Sequence, residues 1–302
     1  MLPASLSYDV VDVFTDRPYA GNPLAVVHGA GALPSAALQA IAREFNLSET
    51  SFPTPIDEST YAVRIFTPGM EVPFAGHPTL GTAWVLRQRG ELGSAPAVQR
   101  CGAGDVAVTA GPDGARLSAA TREVGAPVRL PEVLACVGLA ESDLLSAIRV
   151  ASCGLAFVFV RVSPQALDSS RAPGASWVEP LIGNGDRLGG VCVYAIEAPQ
   201  SAGSTAPTQP VRVSARVYCP EVGVPEDPAT GSAAAALGLV LVADGVAAAE
   251  GCTAYTVAQG AHIARPSRLD CAVEAVAGAG RVVHVGGGVR AIASGSLLPP
   301  HG

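Results

Sequence analysis

The segment "FAGHPTLGTAWVL" (residues 74–86) opens with a polar Gly-His-Pro-Thr turn and continues as an apolar run with no charge before Arg87. The run predicts an α-helix that is surrounded by protein, because a helix without a polar face has to be buried. The first turn of a helix presents unpaired backbone N–H groups and the positive end of the helix dipole, so it attracts anions. His77 and Thr79 lie in this turn. We therefore expect the N-terminus of the helix to face a small anionic ligand.

The same arrangement occurs a second time in the chain. Residues 63–86 resemble residues 215–241, with an offset between aligned positions of 152 at Phe66 and 155 at Gly76. Each copy contains a strand, a proline-containing loop, a Gly/Thr/Ser-rich turn and an apolar helix. Coincidence between two ordinary strand-loop-helix units is the alternative. The repeat predicts an α+β fold of two similar domains, each a barrel-like β-sheet wrapped around a central, nearly buried helix.

Length and composition support this organisation and exclude several kinds of function. The chain has 302 residues, of which 49% are hydrophobic and 15% charged, which suits two domains with large cores. We place these domains at 1–125, completed by 286–302, and at 126–285. The net charge of −7 argues against a nucleic-acid or membrane-surface partner. All 19 basic residues are arginines, so neither a lysine Schiff base nor a Walker A lysine is possible.

The cysteines and histidines give no sign of a disulfide framework or a metal site. The 7 cysteines are scattered without a CxxC pair, which favours reduced thiols in the cytoplasm. The histidines form no ligand cluster with acidic residues, so we expect no metal. No signal peptide and no membrane-spanning run is recognisable, and a cytoplasmic protein is expected. Residues 199–210, rich in Pro, Ser, Thr and Gly, are predicted to form a surface loop.

The candidate functional residues lie at the two helix starts and in one further segment. Gly76 and Gly231 would let the backbone approach a ligand closely. Thr79 and Ser232 would either cap the helices or bind the ligand, and the residue types do not decide between these roles. The segment "FNLSETSFP" (45–53) places Glu49 among apolar residues, where a carboxylate can act as a general acid or base. An exposed loop glutamate is the alternative interpretation.

Five motifs together resemble those of the PhzF-like family, in that family's order and over nearly the whole chain. They are "GNP" (21–23), "LSETSF" (47–52), "FTPGMEVPFAGHPTLGTA" (66–83), "EDPATGSAAAAL" (226–237) and "QGAHIARPSRL" (259–269). The resemblance implies the two-domain fold of diaminopimelate epimerase. It also implies a cofactor-independent isomerase that moves a proton within a small carboxylate-bearing substrate, and a homodimer.

The resemblance also implies roles for particular residues in the interdomain cleft. Glu49 corresponds to the family's acid/base glutamate, and His77 and Asp227 are expected to assist as catalytic residues. The substrate-binding residues expected from the two helix starts are Gly76, Thr79, Thr230, Gly231 and Ser232.

The sequence excludes one alternative and leaves two open. The paired cysteines of diaminopimelate epimerases are absent, because the corresponding positions read Ala75 and Asp227-Pro228-Ala229. This excludes a two-cysteine racemase and favours a single carboxylate that works on one face of the substrate. His77 could instead be a structural histidine. The whole chain could also be a non-catalytic member of the fold that binds a metabolite or a partner protein. Nothing in the sequence specifies a phenazine precursor as the substrate.

Overall fold

The computed structural model describes residues 5–93, 95–120, 124–174, 188–197, 210–220 and 224–300. Over these residues the chain is a mixed α/β protein made mostly of strands. The predicted loop at 199–210 lies outside the described residues except for Pro210. No helix in the described ranges is long and apolar enough to cross a membrane.

The strands and helices are numbered in chain order. The strands are β1 (Leu6–Val13), β2 (Asn22–Val27), β3 (Glu49–Asp57), β4 (Thr60–Phe66), β5 (Glu71–Val72), β6 (Ala97–Cys101), β7 (Gly104–Ala110), β8 (Gly114–Ala120), β9 (Arg149–Ser152), β10 (Ala156–Arg161), β11 (Leu188–Ile196), β12 (Val211–Cys219), β13 (Val224–Asp227), β14 (Gly251–Gln259), β15 (Ser267–Val276) and β16 (Ala279–Leu297). The α-helices are α1 (Ser35–Phe45), α2 (Gly76–Gln88), α3 (Pro131–Cys136), α4 (Pro164–Ser169) and α5 (Gly231–Ala243).

The chain forms two compact units, of which unit 1 comprises Met1–Ser118 and Gly286–Gly302. Its strands follow the order β1-β2-β3-β4-β6-β7-β8-β16. Strand β16 then pairs antiparallel with β1, from Leu6 opposite Leu297 to Val13 opposite Val289. Because the last strand pairs with the first, the sheet closes into a β-barrel.

Helix α2 is the buried helix of unit 1. It packs against β1, β2, β3, β6 and β7, and every residue from His77 to Ala83 is buried. The helix begins at Gly76, as the sequence predicts. Helix α1 is amphipathic instead, and it packs against β3 and β4 through residues that include Leu38 and Ile41.

Unit 2 comprises Ala119–Val285 and contains the second apolar helix. Its strands follow the order β15-β14-β12-β11-β10-β9, with β13 paired to β12. Helix α5 packs against β9, β10 and β15, and all residues from Ala233 to Val242 are buried. The chain leaves the helix before Gly245, whose φ of 69° places it in the left-handed region that glycine tolerates best.

The two similar sequence segments have the same order of elements. In unit 1 the long strand β4 pairs with the short antiparallel β5, and after α2 the chain returns as β6, parallel to β4. In unit 2 the corresponding elements are β12, the short antiparallel β13, α5 and the parallel strand β14. Each buried helix is therefore the crossover between two neighbouring parallel strands.

Candidate functional site

Glu49 and His77 are brought together in unit 1. Helix α1 ends at Asn46, whose left-handed backbone (φ 49°) turns the chain. Glu49 follows as the first residue of β3, beside Leu24 of the parallel strand β2. His77 is the second residue of α2. The Nδ1 atom of His77 lies 3.7 Å from the Oε2 atom of Glu49, and the side chains are 5% and 19% exposed. This is an electrostatic contact, since the distance is too long for a direct hydrogen bond.

The imidazole of His77 is neutral at physiological pH. Burial lowers the pKa of His77 to about 3, although a hydrogen bond to the backbone carbonyl of Pro23 acts in the opposite direction. The Nε2 atom has no hydrogen-bond partner among the described residues, which assigns the hydrogen bond with Pro23 to Nδ1–H. The Nε2 atom of this tautomer carries a lone pair and accepts hydrogen bonds.

The "GNP" turn, to which the sequence resemblance gave no role, contacts both sides of this pair. Pro23 accepts the hydrogen bond from His77, and the Oδ1 atom of Asn22 accepts one of 3.4 Å from the hydroxyl of Ser48, the neighbour of Glu49. Gly21 is needed for the turn because its φ is 69° and a Cβ atom would lie 2.3 Å from the carbonyl oxygen of Val13. Thus the turn positions the segments that carry the acid/base candidates.

The side chain of Thr79 makes its hydrogen bonds inside unit 1. Its side chain is fully buried, and its hydroxyl donates a hydrogen bond of 2.9 Å to the carbonyl of Ala75. The same hydroxyl accepts one of 2.8 Å from the Nε2 atom of Gln99. Ala75 is the N-cap residue and makes no side-chain capping bond, so Thr79 is not the helix cap. The backbone N–H group of Thr79 is not available to a ligand either, because it also donates a hydrogen bond to the carbonyl of Ala75.

The start of α2 does offer backbone donors to a ligand. Helix geometry leaves the N–H groups of Gly76 and His77 without intrahelical acceptors, and Pro78 has no N–H group. Gly76 is partly exposed, in contrast to the residues that follow it. An anion that approached this helix end would meet these donors and the positive end of the dipole.

In unit 2 the structure brings together Asp227 and Thr230. Thr230 is the N-cap residue of α5, and its hydroxyl donates a hydrogen bond of 2.6 Å to the Oδ2 atom of Asp227. Gly231 and Ser232 are the first two helical residues, and Ser232 is half-buried. Their N–H groups lack intrahelical acceptors, as at the start of α2. The N-cap residue Thr230 makes no side-chain capping bond to the helix.

Two buried glutamines belong to these arrangements and were missed in the sequence. Gln99 in β6 binds Thr79 of α2, and Gln259 in β14 binds Thr230 of α5. The signal for Gln259 was its place in the motif "QGAHIARPSRL", which was quoted without a role. Gln99 carries no comparable signal, since a polar residue within a short strand ordinarily points to solvent.

In the described part of the chain, no three His, Cys, Asp or Glu side chains are grouped so that they could hold a metal ion. Unit 1 offers the carboxylate of Glu49, the neutral imidazole of His77 and a helix N-terminus, and unit 2 offers Asp227, Thr230 and a second helix N-terminus. Such groups can bind a small anion and transfer protons.

Comparison with known proteins identifies the family. The model described as "Phenazine biosynthesis-like protein" matches residues 11–295. An uncharacterized isomerase of Mesorhizobium japonicum is 34% identical over 306 residues, covering 97% of this chain and 98% of that protein. The trans-2,3-dihydro-3-hydroxyanthranilate isomerase of Pseudomonas fluorescens is 32% identical over 269 residues, covering 87% and 88%. This chain therefore belongs to the phenazine biosynthesis-like, or PhzF, family and is an isomerase of that family.

Solved structures agree on the fold. The PhzF-family phenazine biosynthesis protein of Bacillus anthracis superposes with a TM-score of 0.83 at 23% identity, covering 97% of this chain and 99% of that one. A hydroxyproline epimerase of Agrobacterium vitis superposes with a TM-score of 0.62 at 13% identity, covering 98% and 93%. The family resemblance and the epimerase-like fold implied by the sequence motifs are thereby confirmed.

Proposed function

We propose that this isomerase moves a proton within a small carboxylate-bearing metabolite, with Glu49 as the acid/base and without a cofactor. The observation that carries the proposal is the placement of the Glu49 carboxylate 3.7 Å from the buried imidazole of His77. Glu49 is partly shielded and partly reachable, with 19% of its side chain exposed. A carboxylate in such surroundings can exchange a proton with a bound substrate.

The neutral state of His77 suits this role. An imidazolium ion at the same distance would stabilise the ionised carboxylate of Glu49 and weaken it as a base. Because burial lowers the pKa of His77 to about 3, Glu49 faces no such charge from this residue. The Nε2 atom of His77 is buried, so we propose that His77 acts as a neutral neighbour of Glu49 and not by direct contact with the substrate.

The proposed step conserves protons and electrons. Glu49 removes a proton from a substrate carbon, and the electron pair of the broken C–H bond moves into the conjugated system of the substrate. The protonated Glu49 then returns the proton to a different carbon. With a single acid/base, both transfers take place on the same face of the substrate.

We propose that the substrate carboxylate is bound by backbone donors at a helix N-terminus, and each unit offers one such helix start. The free donors are the N–H groups of Gly76 in unit 1 and of Gly231 and Ser232 in unit 2, with Asp227 as a second catalytic group. Backbone donors of this kind stabilise negative charge that develops during proton transfer. Thr79 and Thr230 take supporting roles in this proposal, since their hydroxyls already make internal hydrogen bonds.

The substrate class follows only in part from the relatives. The Pseudomonas fluorescens relative acts on trans-2,3-dihydro-3-hydroxyanthranilate, which makes this cyclic amino acid the first compound to test. The proposal covers small cyclic carboxylates in general and does not require a phenazine precursor. The homodimer expected from the sequence remains a prediction, to be checked by sedimentation.

Proton exchange in D₂O tests the proposal. The wild type is incubated with trans-2,3-dihydro-3-hydroxyanthranilate and a panel of cyclic and acyclic amino acids, and deuterium entering carbon-bound positions is followed by NMR. Glu49→Gln removes the acid/base with little change in shape. Glu44→Gln is the matched control, because Glu44 is an exposed glutamate near the end of α1.

We expect deuterium in at least one compound with the wild type and with Glu44→Gln, and none with Glu49→Gln. Exchange that persists in a folded Glu49→Gln variant would remove Glu49 from the mechanism. If the wild type introduces no deuterium into any compound of the panel but binds one in calorimetry, the result contradicts the proposal and supports the non-catalytic alternative.

A further inference from the structure

The backbone around Asp227 is anchored on several sides. Asp227 is the last residue of β13 and lies opposite Val217 of β12. Its neighbour Glu226 accepts two hydrogen bonds, of 3.1 and 2.6 Å, from the guanidinium of Arg216. The two side chains are only 6% and 10% exposed, so the pair is firmly held. These contacts fix the main chain, but they leave the direction of the Asp227 carboxylate to be set by other groups.

Gln259 orients the Asp227 carboxylate indirectly, through the hydroxyl of Thr230. The buried side-chain amide of Gln259 donates hydrogen bonds of 2.8 Å to the carbonyl of Asp227 and 3.0 Å to the hydroxyl of Thr230. Its Oε1 atom accepts the N–H of Thr230 at 3.3 Å. An amide N–H₂ group can only donate. The Thr230 hydroxyl therefore accepts from Gln259 and directs its own proton to the Oδ2 atom of Asp227, 2.6 Å away.

Unit 1 also contains a glutamine that binds a threonine hydroxyl, but this hydroxyl donates to a different acceptor. Gln99 donates to the hydroxyl of Thr79 at 2.8 Å, and this hydroxyl donates to the backbone carbonyl of Ala75 at 2.9 Å. Both hydrogen-bond series fix the start of a buried helix. Of the two, only the series in unit 2 ends on a carboxylate, so only that series orients a group that can take part in proton transfer.

The residue after Gln259 shows how closely the two segments approach. Gly260 has a φ of 78°, and a Cβ atom there would lie 2.6 Å from the carbonyl oxygen of Pro228 and 2.3 Å from that of Arg265. Only glycine permits this approach of the end of β14 to the turn after Asp227. The "QG" dipeptide of the motif thus brings Gln259 within reach of the turn.

We propose that Thr230 and Gln259 are positioning residues that hold the Asp227 carboxylate in its working direction at the start of α5. The role of Asp227 at the substrate rests on the proposed function, whereas its orientation by Thr230 does not. Two experiments separate these parts.

The first experiment needs no substrate. Crystal structures of Thr230→Val and Thr230→Ser report the Asp227 side-chain rotamer directly. Valine has the shape of threonine without the hydroxyl, and serine keeps the hydroxyl. We expect Asp227 to leave its rotamer in Thr230→Val and to keep it in Thr230→Ser. Thr79→Val, which removes the equivalent hydroxyl of unit 1, should leave the rotamer unchanged. An unchanged Asp227 in Thr230→Val overturns the proposal, and Thr230→Ala serves if the valine variant does not fold.

The second experiment uses the proton exchange assay with trans-2,3-dihydro-3-hydroxyanthranilate, or with the panel compound that the wild type turns over. We expect Thr230→Val to lower kcat roughly tenfold or more with a much smaller change in KM, because misdirection affects the transition state most. Thr230→Ser should restore most of the rate. Equal kcat in the wild type and Thr230→Val contradicts the positioning role. A wild type without turnover contradicts the proposed function alone, and the crystal structures still decide on Thr230.

Discussion

The hydroxyl of Tyr255 donates a hydrogen bond of 2.8 Å to the backbone carbonyl of Ala234 in the first turns of α5. Ala234 occupies the fourth position of its helix, and the fourth position of α2 is Thr79, whose carbonyl lies 3.5 Å from the hydroxyl of Tyr61. Both tyrosines are fully buried. A buried phenol needs a hydrogen-bond partner. Tyr255 finds one in the helix backbone, whereas Tyr61 donates its shorter bond, of 3.0 Å, to the Oε1 atom of Gln99. In unit 1 the tyrosine therefore acts through the glutamine that binds the helix start.

The contact of Tyr255 depends on a glycine in the middle of α5. A Cβ atom on Gly238 would lie 2.5 Å from the hydroxyl of Tyr255. Glycine to alanine ordinarily stabilises a helix interior by about 1 kcal/mol. We predict that Gly238→Ala instead lowers the free energy of unfolding, because the phenol cannot move away without losing its partner. Urea denaturation measures the sign.

A double-mutant cycle isolates the cause. Tyr255→Phe alone should lower the free energy of unfolding by about 1 kcal/mol, the usual worth of one hydrogen bond. Gly238→Ala should then cost less in the Tyr255→Phe background than in the wild type, since the clashing oxygen is gone. Strictly additive effects would mean that the two residues do not compete for space.

The "GNP" turn gives a second prediction, with a control of the same backbone conformation. Gly21 and Gly29 have φ values of 69° and 72°. A Cβ atom on Gly21 would lie 2.3 Å from the carbonyl oxygen of Val13, whereas on Gly29 the nearest atom is at 3.9 Å. Gly29→Ala should cost about 1 kcal/mol for its backbone conformation alone. We predict a clearly larger loss for Gly21→Ala in urea denaturation, together with reduced proton exchange, because the turn positions Glu49 and His77. Equal losses would show that the clash is relieved locally.

The sequence predicted those features that depend on local pattern. The two apolar helices and the start of α2 at Gly76 follow from hydrophobic runs and from the chemistry of helix ends. Glu49 and His77 were identified by the resemblance of their motifs, and the structure places them in contact. The sequence groups residues 286–302 with the first domain, but neither the strand that β16 pairs with nor the register could be predicted. This pairing joins the two ends of the chain, and no local pattern records such a contact.

The hydrogen-bond networks at the starts of α2 and α5 could not be predicted from the sequence, for a related reason. Thr79 and Thr230 looked alike as candidate substrate-binding residues, since a hydroxyl at a helix start can either cap the helix or bind a ligand. Their actual partners, Gln99 and Gln259, come from strands that are distant in the chain but parallel to the strand before each helix. Which partner a hydroxyl finds depends on this strand pairing, and the residue type alone does not specify it.

A third prediction concerns the ion pair between Arg149 and Asp244. Their atoms lie 2.6 Å apart, and the side chains are only 17% and 8% exposed. Asp244 follows the C-terminus of α5, where a negative charge is unfavourable. Arg149→Ala should therefore lower the free energy of unfolding by roughly 3 kcal/mol, since it leaves a buried carboxylate uncompensated. Arg129→Ala is the control, because its pair with Glu141 is 82% and 50% exposed and should matter little. Similar losses in the two variants would contradict the importance of burial.

The last prediction follows from the pKa of His77, which burial lowers from 6.5 to about 3. Between these values the unfolded chain binds a proton at this residue and the folded protein does not. The free energy of unfolding should therefore fall as the pH drops below about 6.5, by at most about 1.4 kcal/mol per pH unit, and should be insensitive to this residue at higher pH. Urea unfolding in unit steps from about pH 7.5 to about pH 4.5 measures this slope. The slope should be smaller in His77→Gln than in the wild type. If His77→Gln keeps the full acid sensitivity, His77 takes up its proton in the folded protein, and its role as a neutral neighbour of Glu49 has to be given up.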